Sequence, residues 1–329
     1  MNYIGSKHRL SDFIKTTVKE VCGDDLSQKT FCDLFAGTGS VGRNFKSIVK
    51  SVIANDLEYY SYVLNRNYIG NHKELNIESY FQELNTIKGT PGFIFTHYGE
   101  GGDSDRLYFS KENAQKIDAI RQKIETWKQN QVITEDTYFL LLASLIESAD
   151  KIANTASVYG AFLKKIKVAA AIPILLEPAC FDTTPNSHMV FQEDGNALVK
   201  KIEGDILYLD PPYNVRQYGS NYHILNTIAK YDTFAPRGKT GLRNYERSAY
   251  CSSVKVVAAF EELIKNAQFK YIFLSYNNEG LMPPDIVRKV MQRYGKYDLA
   301  TTDYKRFKAD MNRKHKAKRT TEYLHILEK

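Results

Sequence analysis

The chain has 329 residues and a formal net charge of +7. This length allows one large domain with an insertion, or two domains. No apolar run approaches membrane-spanning length, and the N-terminus lacks the apolar core of a secretory signal. We therefore expect a cytoplasmic protein with no membrane partner.

The cysteines and histidines argue against a disulfide-stabilised protein and against a metal-binding protein. The cysteines are scattered without a C-x-x-C pair, and the seven histidines show no ligand spacing. Reduced thiols are therefore expected in place of a disulfide framework, and we predict no metal site. The cysteines are Cys22, Cys32, Cys180 and Cys251.

A glycine-rich turn follows the first predicted strand. Residues 30–35 form a short apolar run, and a helix is predicted from Ser40 to Lys50. Glycines permit close approach to the backbone, and the start of a helix attracts an anion such as a carboxylate. The turn lacks G-x-G-x-x-G spacing, so by itself it is weak evidence for a cofactor loop. Its residues are Phe35, Ala36, Gly37, Thr38, Gly39 and Ser40.

Acidic residues follow the next two predicted strands. The strand 51–56 ends in Asp56, which can accept hydrogen bonds from both ribose hydroxyls, and the strand 189–191 leads to Asp194, which can accept from an adenine amino group. For each acid the alternative is an N-cap of the next helix. Because strand ends meet at one edge of a parallel sheet, these residues predict a pocket for an adenosine-bearing cofactor. S-adenosylmethionine fits this pattern, and a dinucleotide fits poorly.

An interruption of roughly a hundred residues separates the second and third strands, which is too long for a loop. Ser110 and Thr134 are placed to cap two helices with apolar residues at helical spacing. A third helix is predicted from about Ala161 towards Pro173. We expect a helical insertion domain at 82–185, between catalytic parts at 1–81 and 186–329.

The fourth strand ends in the tetrapeptide Asp210-Pro211-Pro212-Tyr213. Two prolines fix φ and remove two backbone donors, so they form a rigid corner beyond the strand. A planar base stacked on Tyr213 would present its exocyclic amine to Asp210 and to the carbonyls of residues 210 and 211. Those acceptors can free the nitrogen lone pair and take the proton. The alternative is an ordinary βα turn.

Two basic segments are candidates for contact with a polyanion. The loop 237–243 is basic and glycine-rich, and 305–319 holds eight basic residues against the single acid Asp310. A solvated surface loop is the alternative for each. The residues predicted to bind nucleic acid are Arg237, Lys239, Arg243, Arg313, Lys314, Lys316, Lys318 and Arg319.

Strands that alternate with helices predict a doubly wound α/β sheet. The runs 298–307 and 321–327 flank the second basic segment and predict an antiparallel hairpin at the end of the sheet. A further strand is predicted at 271–275.

The chain resembles the adenine-specific (N6) DNA methyltransferases in which the cofactor loop precedes the recognition domain, the group of the deoxyadenosine methylases. The likeness covers nearly the whole chain and lies in residues 2–7, the glycine turn, Asp56 and the tetrapeptide. It implies that Tyr3 and Lys7 touch the cofactor, Lys7 near its carboxylate. The family often has Trp where this chain has Tyr3.

The resemblance implies a Rossmann-like fold, S-adenosylmethionine as cofactor and duplex DNA as substrate, with the target adenine flipped onto Tyr213. It places target recognition in the insertion and implies a restriction endonuclease as a functional partner of a monomeric enzyme. Two alternatives stay open: a methyltransferase acting on base amines of RNA, and a catalytically silent subunit that only binds nucleic acid.

Overall fold

A computed structural model describes residues 7–305 and 319–329. Within these residues the chain divides into two compact units. The sheet unit comprises 7–65, 184–217 and the described residues from 247 to 329. The helical unit comprises 66–183 and 218–246, so it begins before the expected boundary at 82 and takes in a second segment of the chain.

The sheet unit is built on seven strands in the order β3-β2-β1-β4-β5-β7-β6. The five from β3 to β5 are parallel, and β7 runs antiparallel between β5 and β6. The predicted doubly wound α/β fold with an antiparallel C-terminal hairpin is confirmed. The strands are β1 (Thr30–Asp33), β2 (Ser51–Asn55), β3 (Met189–Phe191), β4 (Glu203–Leu209), β5 (Gln268–Asn277), β6 (Lys296–Lys305) and β7 (Arg319–Glu328).

The helices of both units are numbered here in chain order. In the described residues they are α1 (Ser11–Cys22), α2 (Ser40–Lys46), α3 (Tyr59–Asn65), α4 (Glu78–Thr86), α5 (Phe93–Tyr98), α6 (Lys111–Gln129), α7 (Glu135–Lys151), α8 (Val168–Ala171), α9 (Gly195–Leu198), α10 (Tyr218–Asn221), α11 (His223–Lys230), α12 (Val256–Asn266) and α13 (Pro284–Met291). A 3-10 turn, Lys7–Leu10, precedes α1. None of these helices is long and apolar enough to cross a membrane.

Alternating side chains of β4 serve opposite faces of the sheet. Leu207 and Leu209 are fully buried in the same apolar cluster as Phe260 of α12. Tyr208 lies on the other face, where its ring stacks on Phe31; Phe31 also stacks on Phe45 of α2 with ring centroids 4.0 Å apart. Both faces are therefore covered, and the residue that follows Leu209 emerges at the carboxyl edge of a rigid sheet.

Helices α6 and α7 of the helical unit begin where the sequence predicted. Ser110 accepts a hydrogen bond from the Asn113 amide, and Thr134 accepts one from the Thr137 amide. Both side chains therefore act as N-caps, which satisfy backbone donors that have no partner within the helix.

The third predicted helix of the insertion is wrong, because only α8 is helical between residues 161 and 173. The side chains of two buried asparagines form hydrogen bonds with the backbone groups of this segment. The amide nitrogen of Asn113 donates to the carbonyls of Ala170 and Ile172, and its oxygen accepts from the Ile174 amide. Asn154 does the same for the carbonyl of Leu163 and the amide of Lys167. These side-chain bonds replace the helical ladder and hold the segment in an irregular shape.

Replacing Asn113 with Ala should destabilise this segment because two backbone carbonyls and one amide lose their partner. Each unsatisfied buried group costs about 1–3 kcal/mol. We expect faster hydrogen–deuterium exchange over residues 168–175 and a lower thermal unfolding midpoint. Asn130→Ala, at an exposed position after α6, is the matched control. Unchanged exchange in 168–175, or equal effects of both variants, would contradict the assignment.

Candidate active site

The tetrapeptide begins directly after β4, at the carboxyl edge of the sheet. The Asp210 side chain is only 18% exposed, and its Oδ1 lies 3.2 Å from the Nζ of Lys7. Burial raises the pKa of Asp210 to about 7; Lys7 opposes this shift, and Glu322 adds to it. The half-buried Tyr213 accepts a backbone hydrogen bond from Leu281 at 3.0 Å, which fixes the far end of the proline corner.

Lys7 is a buried ammonium held between two carboxylates. Its Nζ donates to Oε1 of Glu322 at 2.7 Å, a shorter distance than to Asp210. Burial alone would lower the pKa of Lys7, but Asp210 and Glu322 outweigh it and hold that pKa well above its usual value. The family resemblance implied that Lys7 lies near the cofactor's carboxylate, and this stays a prediction; within the protein, the partners of Lys7 are the carboxylates of Asp210 and Glu322.

The glycine turn connects β1 to α2 and lies against Asp56. Gly37 and Gly39 adopt φ of 53° and 76°, a left-handed backbone that favours glycine. The Gly37 amide donates to Oδ2 of Asp56 at 2.8 Å. The half-buried Phe35 meets the Tyr250 ring edge-on, and the buried Ala36 donates its amide to the Asn55 carbonyl. The predicted loop and acid are thus one hydrogen-bonded structure.

Asp56 and Asn55 tie the ends of three strands together. Oδ1 of Asp56 accepts from the Glu58 amide, and burial raises the pKa of Asp56 despite its hydrogen bonds. The side-chain nitrogen of Asn55 donates to the carbonyls of Leu34 and Glu193, and its oxygen accepts from the Glu193 amide. Sequence reasoning missed Asn55, although its place at the end of an apolar strand was a usable signal.

Asp194 lies beyond the carboxyl end of β3, as the sequence predicted. It is exposed, and its Oδ1 accepts from the Ala197 amide at 3.0 Å as the N-cap of α9. The alternative of an N-cap therefore holds for one carboxylate oxygen. Its contact with an adenine amino group stays a prediction.

Two acids at this edge were absent from the sequence-based site. Asp33 ends β1, is 1% exposed, and accepts from the Gly42 amide at 3.0 Å. Burial raises the pKa of Asp33 to about 8; the Gly42 hydrogen bond opposes the shift, and Asp210 and Asp56 add to it. Glu322 of β7 is equally buried. The edge thus combines the carboxyl groups of Asp33, Asp56, Asp210 and Glu322 with the ammonium of Lys7.

Several predicted residues lie outside the described part of the chain: Tyr3, Arg313, Lys314, Lys316 and Lys318. Arg319 opens β7, and its side chain is likewise outside the description. In the residues that are described, no group of three or more His, Cys, Asp or Glu side chains could hold a metal ion.

The predicted basic loop 237–243 lies in the helical unit, where Arg243 is paired with an acid. Its guanidinium binds both oxygens of Asp232, at 2.9 and 2.7 Å, and lies over the Phe234 ring. Arg243 is 9% exposed, so its charge is already paired and largely buried. Arg237 and Lys239 are exposed, as a nucleic-acid contact requires.

The irregular segment 161–175 presents a second basic surface that the sequence analysis missed. Lys164 and Lys165 are exposed, and large apolar side chains are exposed beside them in the chain. These are Leu163, Val168, Ile172 and Leu175, with Val168 at 87% exposure. The signal was present, because residues 152–176 contain three lysines and no acid.

The chain matches the family model of D12 class N6 adenine-specific DNA methyltransferases over residues 3–290. It is 61% identical to the type II methyltransferase M.NlaIII of Neisseria lactamica, covering all of this chain and 99% of that protein. It is 37% identical to the type II methyltransferase M.FokI of Planomicrobium okeanokoites, again over the full chain but only 53% of that longer protein.

Among solved structures, a weak likeness links the chain to magnesium protoporphyrin IX methyltransferase from Synechocystis PCC 6803 with bound SAM. The TM-score is 0.37 at 9% identity, covering 98% of this chain and 80% of that one.

The raised pKa of Asp33 predicts a pH-dependent stability. Between the usual value of 3.8 and about 8, the folded state holds a proton that the unfolded chain releases. The free energy of unfolding should therefore fall as pH rises through this window, by at most about 1.4 kcal/mol per pH unit. Asp33→Asn should flatten that fall between pH 5 and 8 in denaturant titrations. Asp24→Asn, which removes an exposed carboxylate, should leave it unchanged; parallel curves for wild type and Asp33→Asn would contradict the shift.

Proposed function

We propose how this chain, which belongs to the D12 class N6 adenine-specific DNA methyltransferases, carries out its reaction. Its sheet unit transfers a methyl group to the exocyclic 6-amino group of an adenine in duplex DNA. The observation that carries the proposal is the position of Asp210 at the end of β4, partly buried and 3.2 Å from the ammonium of Lys7. The rigid corner that follows brings Tyr213 to the same edge of the sheet.

The residues at this edge fit S-adenosylmethionine as the methyl donor. The molecule carries a sulfonium, an ammonium and a carboxylate, so its net charge is positive. Among the described residues, the edge combines the carboxyl groups of Asp33, Asp56, Asp210 and Glu322 with the ammonium of Lys7, and burial raises the pKa of the three aspartates. Burial makes these carboxyl groups costly to ionise, and a cationic ligand favours their ionised forms.

Individual groups can be assigned within this pocket. The Asp56 carboxylate accepts from the amides of Gly37 and Glu58 at the end of β2, and it is the proposed partner of the ribose hydroxyls. The left-handed backbone of Gly37 and Gly39 lets a ligand approach the turn closely. Phe35 and Ala36 line the same turn, and Asp194 at the end of β3 is the acceptor for the adenine amino group. Tyr3 belongs to this set by its place in the family motif.

When bound, S-adenosylmethionine supplies a methyl group on an electron-poor sulfur. The chain's own contribution is to hold the acceptor amine. Tyr213 provides a flat surface for the flipped adenine, while Asp210 and the carbonyls of residues 210 and 211 accept its N–H groups. Because Lys7 contacts Oδ1 of Asp210, Oδ2 is the oxygen that faces the amine. As the nitrogen forms its bond to carbon it loses a proton, and Asp210 is the base placed to accept it.

The helical unit is the proposed reader of the DNA. Exposed Lys164 and Lys165 would bind phosphates, and the neighbouring apolar side chains would contact base edges or sugars. Arg237 and Lys239 add a second exposed basic site.

The cellular setting follows from the relatives named above, which are type II methyltransferases. We propose that the enzyme acts as a monomer in the cytoplasm on the DNA of the cell that makes it. A restriction endonuclease of the same specificity is its functional partner, with no need for a physical complex.

Replacing Asp210 with Asn should lower kcat by about 10²–10⁴-fold, because the amine loses an ionised acceptor. Incorporation of a tritiated methyl group into adenine-containing duplexes measures this. Glu203→Gln changes an exposed acid at the other end of β4 and should leave kcat unchanged. Transfer by Asp210→Asn at the wild-type rate would remove the proposed role.

Neutralising Lys164 and Lys165 to Ala should weaken DNA binding across sequences. If each lysine contacts one phosphate, the slope of log K against log salt should fall by about 2 units. Fluorescence anisotropy with labelled duplexes at several salt concentrations provides the slope. The matched control is Lys73→Ala with Lys88→Ala, two exposed lysines of the same unit. Equal slopes for the test variant and wild type would contradict a contact between these lysines and DNA phosphates.

A further inference from the structure

Glu322 is a buried acid at the carboxyl edge of the sheet that the mechanism above does not yet use. It lies on β7 opposite Asn277 of β5. Its Oε1 accepts from the Nζ of Lys7 at 2.7 Å and from the hydroxyl of Ser275 at 2.6 Å. Its Oε2 is buried without a hydrogen-bond partner in the described part of the chain. Burying an unpaired carboxylate oxygen is costly, so a group kept there calls for a role.

The contacts of Lys7 connect Glu322 to the tetrapeptide. A lysine ammonium sits on a flexible four-carbon stem, so its position depends on what it is anchored to. Glu322 is the nearer carboxylate and is itself held by Ser275 of the neighbouring strand. Asp210 is the farther one, and it lies on a loop beyond the strand. The sheet therefore holds Glu322 through Ser275, Glu322 holds the ammonium of Lys7, and Lys7 in turn contacts Asp210.

We propose that Glu322 is a positioning residue for methyl transfer: through Lys7 it fixes the orientation of Asp210, so that Oδ2 of Asp210 faces the target amine. This inference rests on the proposed function of Asp210. It assigns a task to β7, the strand that is inserted between β5 and β6.

The charges argue against a simple structural ion pair. A simple ion pair needs one carboxylate, yet two carboxyl groups lie within ion-pair distance of the buried Lys7 ammonium. A buried ion pair is weak as a stabilising device, and an apolar pair of similar volume is often as stable. Two acids on one lysine instead form a relay, in which the position of one carboxylate determines that of the other.

The test compares Glu322→Gln with wild type in the full-length enzyme. Gln can still accept from Lys7 and Ser275 but carries no charge, so the packing is kept while the grip on the ammonium weakens. We expect kcat to fall about 10- to 100-fold, as a slightly misplaced reacting group would cause. The KM for DNA should stay within about twofold. Glu328→Gln, the same change near the other end of β7 and about 40% exposed in its side chain, should leave both constants at wild-type values.

A double-mutant cycle tests whether Glu322 acts through Lys7. Lys7→Met should reduce kcat at least as much as Glu322→Gln. Adding Glu322→Gln to Lys7→Met should then cause no further loss, because the connecting ammonium is gone. Additive losses of kcat in the double variant would contradict the proposal that Glu322 acts through Lys7.

A readout independent of turnover is the titration of the Asp210 carboxyl in the cofactor-free protein, followed by carbon-13 NMR. The charged groups that face Asp210 are Lys7, Glu322 of β7 and Asp33 of β1; Tyr208 and Tyr213 are its titratable neighbours along the chain. Glu322 raises the pKa of Asp210, so its neutralisation should move the Asp210 midpoint to lower pH. The acid limb of the kcat–pH profile should move the same way.

The outcomes separate this inference from the proposed function. If wild type transfers no methyl group to adenine in DNA, the proposed function fails. If wild type is active and Glu322→Gln loses only thermal stability, with kcat and the Asp210 midpoint unchanged, the acid is a structural partner and this inference alone fails. Should Glu322→Gln not fold, Ser275→Ala removes one anchor of Glu322 and should lower kcat in the same direction; wild-type kcat there would overturn the proposal.

Discussion

The candidate site depends on one electrostatic constraint: acidic groups are held out of water at the carboxyl edge of a parallel sheet, around the ammonium of Lys7. Each carboxyl group is costly to ionise there, and burial raises the pKa of Asp33 and Asp210 to about 8 and 7. A nearby cation favours the ionised forms of these groups. The site therefore prefers a positively charged ligand.

That constraint is tolerable only because the surrounding backbone cannot relax. Asn55 ties the ends of β1 and β2 to the residue before Asp194, and Asp56 holds the glycine turn through Gly37. The proline corner is fixed to the sheet unit through the carbonyl of Tyr213. The strand ends, the glycine turn and the proline corner therefore form a rigid frame. This frame holds the carboxyl groups close to one another.

Local patterns in the sequence predicted the parts of the fold that local physics determines. Apolar runs, prolines and capping residues located the strands, the corner after Leu209 and the starts of α6 and α7. The third helix of the insertion failed because Asn113 and Asn154 bond to backbone groups up to 61 positions away along the chain. The pairing of Arg243 was missed for a similar reason, since no local pattern in the sequence shows that its guanidinium binds Asp232.

Only some residues of the site could be predicted from the sequence. Asp56, Asp210 and the glycine turn carry recognisable spacing, whereas Glu322 carries none. Its partner Lys7 lies 315 positions away, and no periodicity connects the two. Such a contact exists only because the sheet places β7 beside β5.

The interior place of β7 in the sheet has a consequence for biosynthesis. Strands β1 to β6 are translated first, but β5 and β6 can be joined only when β7 arrives between them. Until residues 319–328 leave the ribosome, Lys7 has no Glu322 to bind. If Glu322 has the proposed positioning role, the tetrapeptide is synthesised before the group that fixes the orientation of Asp210.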